Sequence, residues 1–127
     1  MIPIMTKADI RMLELARRIS QKADYYQKVG CVVAKKSRVL GMGYNHPQKT
    51  HPKATTPFQT IHAELSASLG ISFDEIRGAT AYVARLSHDG NDALAMPCSH
   101  CMAMLRSLFV KKVVFTRTGQ EPGILFL

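Results

Sequence analysis

Two short stretches carry side chains suited to chemistry: Pro97-Cys98-Ser99-His100-Cys101 and, far upstream, His62-Ala63-Glu64. Cysteines three residues apart share one side of a helical turn. The positive end of a helix favours the thiolate, the form that binds metal. Pro97 suits the position just before or at the start of such a helix. His62, Cys98 and Cys101 together offer three ligands to a zinc ion, which prefers four, and the fourth place is left for water. A site open in this way is built for catalysis, whereas a closed structural site uses four protein ligands. Glu64 is not needed as a ligand. A carboxylate beside an activated water can take its proton and hand it to a leaving group, so Glu64 is the expected catalytic residue.

A lone pair of spaced cysteines would say little. The joint order of His, Glu two residues on, and then Pro-Cys-x-x-Cys is the signature of zinc nucleobase deaminases. Further stretches agree: Lys28-Val29-Gly30-Cys31-Val32-Val33, Gly41-Met42-Gly43-Tyr44-Asn45, Lys49-Thr50-His51-Pro52 and Ile61-His62-Ala63-Glu64-Leu65. On these residues the sequence resembles the cytidine/deoxycytidylate deaminase superfamily from about Leu13 to Thr116. Within it, the chain is most similar to small phage-type members. The resemblance implies an α/β fold of three layers (α/β/α), with a central mixed sheet of about five strands and helices on both faces. It implies Zn2+ as cofactor, homo-oligomers, and hydrolytic attack at C4 of a cytosine base to give uracil. The substrate would be cytidine, deoxycytidine or a monophosphate of either. It also implies that Asn45 bonds the sugar hydroxyl or the base edge.

The elements that must position these groups follow from periodicity. Thr6 and Asp9 read as a helix cap, and Ala8, Met12, Leu15, Ala16, Ile19 and Ala23 then recur at helical spacing. Arg11, Arg17 and Arg18 fall opposite, as a solvated face. Val29 to Ala34 and Val39 to Tyr44 read as an antiparallel hairpin turned at Lys35-Lys36-Ser37. Cys31 lies in an apolar run and is expected to be a small buried residue. Tyr26, before the first strand, either stacks on a base or packs at the strand entrance. His46 to Thr60 is a long loop leading to the site, and Lys49 and His51 in it are candidates for phosphate contacts. A helix from His62 to about Leu69 stops at Gly70 and leaves the Ala63 N–H free to bind a substrate carbonyl.

Thr80 to Leu86 is an apolar strand, as expected at the centre of a covered sheet. The connection from Ser87 to Met96 is longer than in typical members of the superfamily. Cys98 to Phe109 is a helix, with His88 and His100 expected at the surface, and Val113 to Thr116 is a strand. Only Arg117 to Pro122 separate it from Gly123-Ile124-Leu125-Phe126-Leu127, too few residues for a parallel crossover. If the tail is a strand, it returns antiparallel, the arrangement the resemblance associates with deaminases of free nucleosides.

With 127 residues the chain is expected to be a single domain, 1–127,. No apolar run approaches the ~18 residues of a membrane span. An odd cysteine count, with two cysteines claimed by metal, points to a reducing, cytoplasmic setting. A net charge of +8 suits an anionic partner, either a nucleotide or single-stranded nucleic acid,. Three functions therefore compete. The leading one is a deaminase of pyrimidine nucleosides or nucleotides. The others are a single-stranded DNA or RNA cytosine deaminase and a non-catalytic zinc-stabilised binding module. The presence of Glu64 and the missing fourth ligand disfavour the last.

Overall fold

The computed structural model describes residues 5–23, 27–46 and 61–127. Helix α1 (Lys7–Ser20) begins where Thr6 and Asp9 close a capping box, the Asp9 N–H donating to Thr6 Oγ1 at 3.0 Å and the Thr6 N–H to the Asp9 carboxylate at 3.1 Å. Met12, Ala16 and Ile19 of the predicted stripe are buried and Ala8 and Leu15 partly so, while Leu13, outside that stripe, is buried with them,. Strands β1 (Lys28–Lys35) and β2 (Arg38–Tyr44) make the antiparallel hairpin. Lys36 and Ser37 turn it with φ of 51° and 66°, the positive values that let a two-residue turn follow the strand twist,. Then come α2 (Ala63–Ser68), α3 (Phe73–Ile76), β3 (Thr80–Leu86), β4 (Asp92–Ala93), α4 (Ser99–Ser107), β5 (Lys112–Arg117) and β6 (Gln120–Phe126).

The sheet runs β2-β1-β3-β5-β6, with β4 paired to β3. Five principal strands are thus joined by a two-residue sixth. Only β3 and β5 are parallel, and α4 is the helix that carries the chain from one to the other,. The tail returns antiparallel as β6, which starts earlier than expected, at Gln120. Strand alternation divides the core into two layers. Val32, Ala34, Tyr82, Ala84 and Val114 pack under α1. Cys31, Val33, Ala81, Val83, Val113 and Phe115 pack with Ala63 and Ala67 of α2 and with Met102 and Leu105 of α4. The result is the α/β/α sandwich. Gly43 matters to it: a Cβ there would lie 2.6 Å from the carbonyl carbon of Ser66, so α2 rests directly on β2,.

Two charged groups depart from the simple solvated-face picture. Arg17 is half-buried and forks onto Asp92, its Nε donating to Oδ1 at 2.9 Å and its Nη2 to Oδ2 at 3.0 Å. Arg11 and Arg18 are exposed, as expected. Asp9 has a second task besides capping. It is 2% exposed and accepts hydrogen bonds from the Tyr82 hydroxyl at 2.7 Å and from Lys112 Nζ at 3.1 Å. This ties α1 to β3 and β5. Burial pushes its carboxyl up, but the bonds from Tyr82, Thr6 and Lys112, with the Lys112 charge, hold it below the ordinary value,. Among the described residues no helix is long and apolar enough to cross a membrane.

Candidate active site

The site forms where two helices begin. His62 is the N-cap of α2 (φ −70°, ψ 153°) and Cys98 the N-cap of α4 (φ −67°, ψ 169°). Cap positions usually hold Ser, Thr, Asp or Asn, whose side chains bond back to the helix. Neither His62 nor Cys98 makes such a bond, so each keeps its donor atom for something else. Cys101, buried one turn into α4, joins them. His62 Nδ1 lies 3.6 Å from Cys98 Sγ and 3.4 Å from Cys101 Sγ, and all three ligand atoms fall within 4.8 Å of one another.

These distances fit zinc. Tetrahedral bonds of about 2.3 Å to sulfur and about 2.0 Å to nitrogen imply an N···S separation of about 3.6 Å. The charges fit as well. Partial burial, and then the nearby His100, hold His62 below its ordinary pKa, in the neutral form a ligand needs,. Burial pushes the Cys101 thiol up, and the neighbouring Glu64 and Cys98 push it further. With Cys101 and Glu64 buried beside the exposed Cys98, a divalent cation would offset the repulsion among these acids,. His62, Cys98 and Cys101 thus form a group that could hold a zinc ion.

Glu64, on the first turn of α2, is 5% exposed. Burial pushes its carboxyl up to about 7, opposed by a hydrogen bond to its own backbone. A group that titrates there can both accept and give a proton at neutral pH. Ala63 is buried at the first helical position, where the N–H has no acceptor within the helix,. Cys31 is fully buried on the sheet face below, its thiol raised by burial and then by the Glu64 charge. It is the inert packing residue expected of its sequence context. His88 and His100 are exposed, as expected.

Asn45 is placed near the site but is already occupied. His46 bridges Ile61, so Asn45 and His62 each stand one residue from that bridge. The Asn45 Oδ1 accepts from the Val29 N–H at 3.0 Å, and its Nδ2 donates to the Gln27 carbonyl at 2.7 Å. Among the described residues, one amide hydrogen and one lone pair are left without a partner,. Tyr26, Lys49 and His51 lie outside the described residues. One residue on the sheet escaped the sequence reading: Arg85, the charged residue that interrupts apolar β3. That interruption was the available signal.

The chain matches the cytidine and deoxycytidylate deaminase zinc-binding region over residues 6–117. It is 33% identical over 118 residues to riboflavin biosynthesis protein PYRD, chloroplastic, of Zea mays, covering 88% of this chain and 25% of that protein. It thus spans about a quarter of the length of the curated riboflavin-biosynthesis relatives it matches. Against the deoxycytidylate deaminase of Mycobacterium phage D29 it is 27% identical over 130 residues, covering 86% of this chain and 94% of that one. Among solved structures, the dCMP deaminase of cyanophage S-TIM5 superposes with a TM-score of 0.62 at 27% identity, covering 88% of this chain and 84% of that one.

Proposed function

This chain belongs to the cytidine and deoxycytidylate deaminase family of zinc-dependent hydrolytic deaminases, and we propose that it converts a cytosine base, carried on a nucleoside or nucleotide, to uracil. The observation that carries the reading is Glu64: a buried carboxylate on the first turn of α2, two residues from His62 of the His62, Cys98 and Cys101 group. When bound, zinc activates water for attack at neutral pH. Glu64 accepts the proton that water gives up and delivers it to the ring nitrogen next to the attacked carbon. A second proton, also passed through Glu64, goes to the exocyclic amine, which leaves as ammonia while the carbonyl forms. The Ala63 N–H donates to the carbonyl of the base, and Asn45 offers its remaining donor and acceptor to the sugar or base edge.

Two features pull the substrate in different directions. The antiparallel β6 is the arrangement associated with free-nucleoside deaminases. The relative whose length this chain nearly fills is a deoxycytidylate deaminase, and the cyanophage enzyme has been crystallised with dCMP and dUMP. A second reading has its own support. Identity to the riboflavin-biosynthesis protein exceeds that to the phage deaminase, so a pyrimidine intermediate of that kind belongs among the substrates tested.

The test is to incubate zinc-loaded protein with cytidine, deoxycytidine, CMP, dCMP and a cytosine-containing single-stranded oligonucleotide, and to follow ammonia and the uracil product. Turnover of a nucleoside or mononucleotide is expected. Turnover of the oligonucleotide alone, with a steep salt dependence, would transfer the +8 charge to strand binding and overturn the reading,.

A further inference from the structure

Arg85 is the only charged residue in β3. Its Nε is the one buried side-chain nitrogen or oxygen that lacks a hydrogen-bond partner among the described residues. Other cations that fold back onto the protein are satisfied. Lys112 is bound to Asp9, Arg17 to Asp92 and Glu14, and Lys28 to the Ala23 carbonyl. A desolvated donor on a permanently charged group is disfavoured unless something compensates it.

The place of Arg85 says what that could be. By strand alternation it shares the sheet face of Ala81 and Val83, the face covered by α2 and α4 and holding the zinc ligands,. It stands at the end of β3 from which the chain leaves for Pro97 and Cys98. On one side it pairs with Val29, whose N–H is held by Asn45. On the other it pairs with Ala93, because the long connection after β3 folds back as β4. That connection is stitched down. The Arg85 N–H donates to Thr116 Oγ1 at 3.1 Å, and Thr116 Oγ1 donates to the Ala93 carbonyl at 2.7 Å. The Ala95 N–H donates to the Thr116 carbonyl at 3.0 Å, and Arg17 clamps Asp92. The added segment therefore walls one side of Arg85 and fixes its backbone, while the residue as a whole stays only half-buried.

A guanidinium presents parallel donors that match two oxygens of a phosphate, and it keeps its charge at any working pH. We propose that Arg85 receives the 5′-phosphate of a pyrimidine mononucleotide, so that this site takes nucleotides in preference to nucleosides. The inference rests on the cytosine-deaminase reading of the same site. It gives the longer 87–96 connection a purpose: β4 completes the enclosure around the phosphate receptor.

The experiment compares wild type, Arg85→Gln and Arg85→Lys, each zinc-loaded, on dCMP, deoxycytidine and a cytosine-containing oligonucleotide. Loss of a bidentate charge-assisted contact should lower kcat/KM for dCMP by about 10- to 100-fold, mainly through KM. Turnover of deoxycytidine should stay within about twofold of wild type, and Arg85→Lys should recover part of the loss. An equal fall on both small substrates, no fall on dCMP, or an Arg85-dependent effect confined to the oligonucleotide overturns the assignment. If the wild type deaminates none of the three, the deaminase reading fails separately. The Arg85 inference is then read from thermal melting in inorganic phosphate. A rise in midpoint for wild type but not for Arg85→Gln supports it, and the same response in both, or none, overturns it.

Discussion

Substituting Gly43 by alanine should damage a site that Gly43 does not touch. The added Cβ would sit 2.6 Å from the carbonyl carbon and from the hydroxyl oxygen of Ser66, in the middle of α2. Ordinary carbon contacts need about 3.5 Å, so the helix must retreat by about 1 Å. Backbone cannot yield by rotating a side chain, and α2 carries both His62, at its cap, and Glu64. His62 Nδ1 now stands 3.4 Å and 3.6 Å from the two sulfurs. A displacement of about 1 Å takes it out of tetrahedral reach and misplaces the proton carrier. Misplacement on that scale costs about 10²-fold in turnover, or about 2.7 kcal/mol of barrier, besides about 1–3 kcal/mol of overpacking. The assay is zinc affinity by chelator competition, run beside turnover and thermal melting. Gly123→Ala is the control. The three atoms nearest its Cβ would all belong to the Phe115 ring, a side chain on the β5–β6 pair rather than the backbone of α2. It should lower the melting midpoint and leave zinc affinity and turnover unchanged. If Gly43→Ala binds zinc and turns over like wild type, α2 is not held in place by its contact with β2, and the reasoning fails.

In metal-stripped protein, Glu64 titrates near 7 in the fold against an ordinary 4.5. The folded state then holds the extra proton between those values, so stability falls as pH rises from about 4.5 to about 7. The difference amounts to about 3 kcal/mol. Urea midpoints at pH 4 and pH 8 should show it in wild type and not in Glu64→Gln, and equal slopes in the two proteins would refute it. Asp9→Ala removes one partner of the buried pair with Lys112 and should cost about 3–5 kcal/mol at pH 7,. Because the Asp9 carboxyl is held below 3.8, its contribution is present above that pH and lost as pH falls through the lower folded value; a deficit that persists undiminished at the lowest accessible pH would contradict the ion-pair account. Asn45→Asp would set a second acceptor 2.7 Å from the Gln27 carbonyl, whereas Asn45→Ala only deletes two bonds. The aspartate variant should therefore unfold at lower denaturant, by about 1–2 kcal/mol, and the reverse order would show that the Gln27 bond is not what holds the strand ends together.

What could be read from the sequence is local or self-contained. The zinc ligands and Glu64 lie in two short motifs whose order and spacing carry their chemistry. The stripe of Met12, Ala16 and Ile19 and the Thr6–Asp9 cap lie within one helix. The antiparallel return of β6 follows from a connection too short for anything else,. What could not be read depends on register between distant segments. Arg17 meets Asp92 across 75 residues, and Lys112 meets Asp9 across 103. Nothing in their neighbours along the chain marks these residues as paired, so Arg17 reads as solvated. Asn45 reads as a substrate contact, but two of its bonding positions are used on backbone. The long connection after β3 reads as a polar turn because its two-residue strand is too short to show alternation, and Arg85 gains its setting only when that strand folds back.

The most direct test of the central claim is made on Glu64→Gln beside wild type, with zinc content measured by elemental analysis and ammonia release measured on the best cytosine substrate. The account predicts one zinc per chain in both proteins, lost in Cys101→Ala, and turnover reduced by about 10²- to 10⁴-fold or more in Glu64→Gln. A zinc-loaded Glu64→Gln that releases ammonia at the wild-type rate would contradict the assignment of Glu64 as the proton carrier, and with it the mechanism.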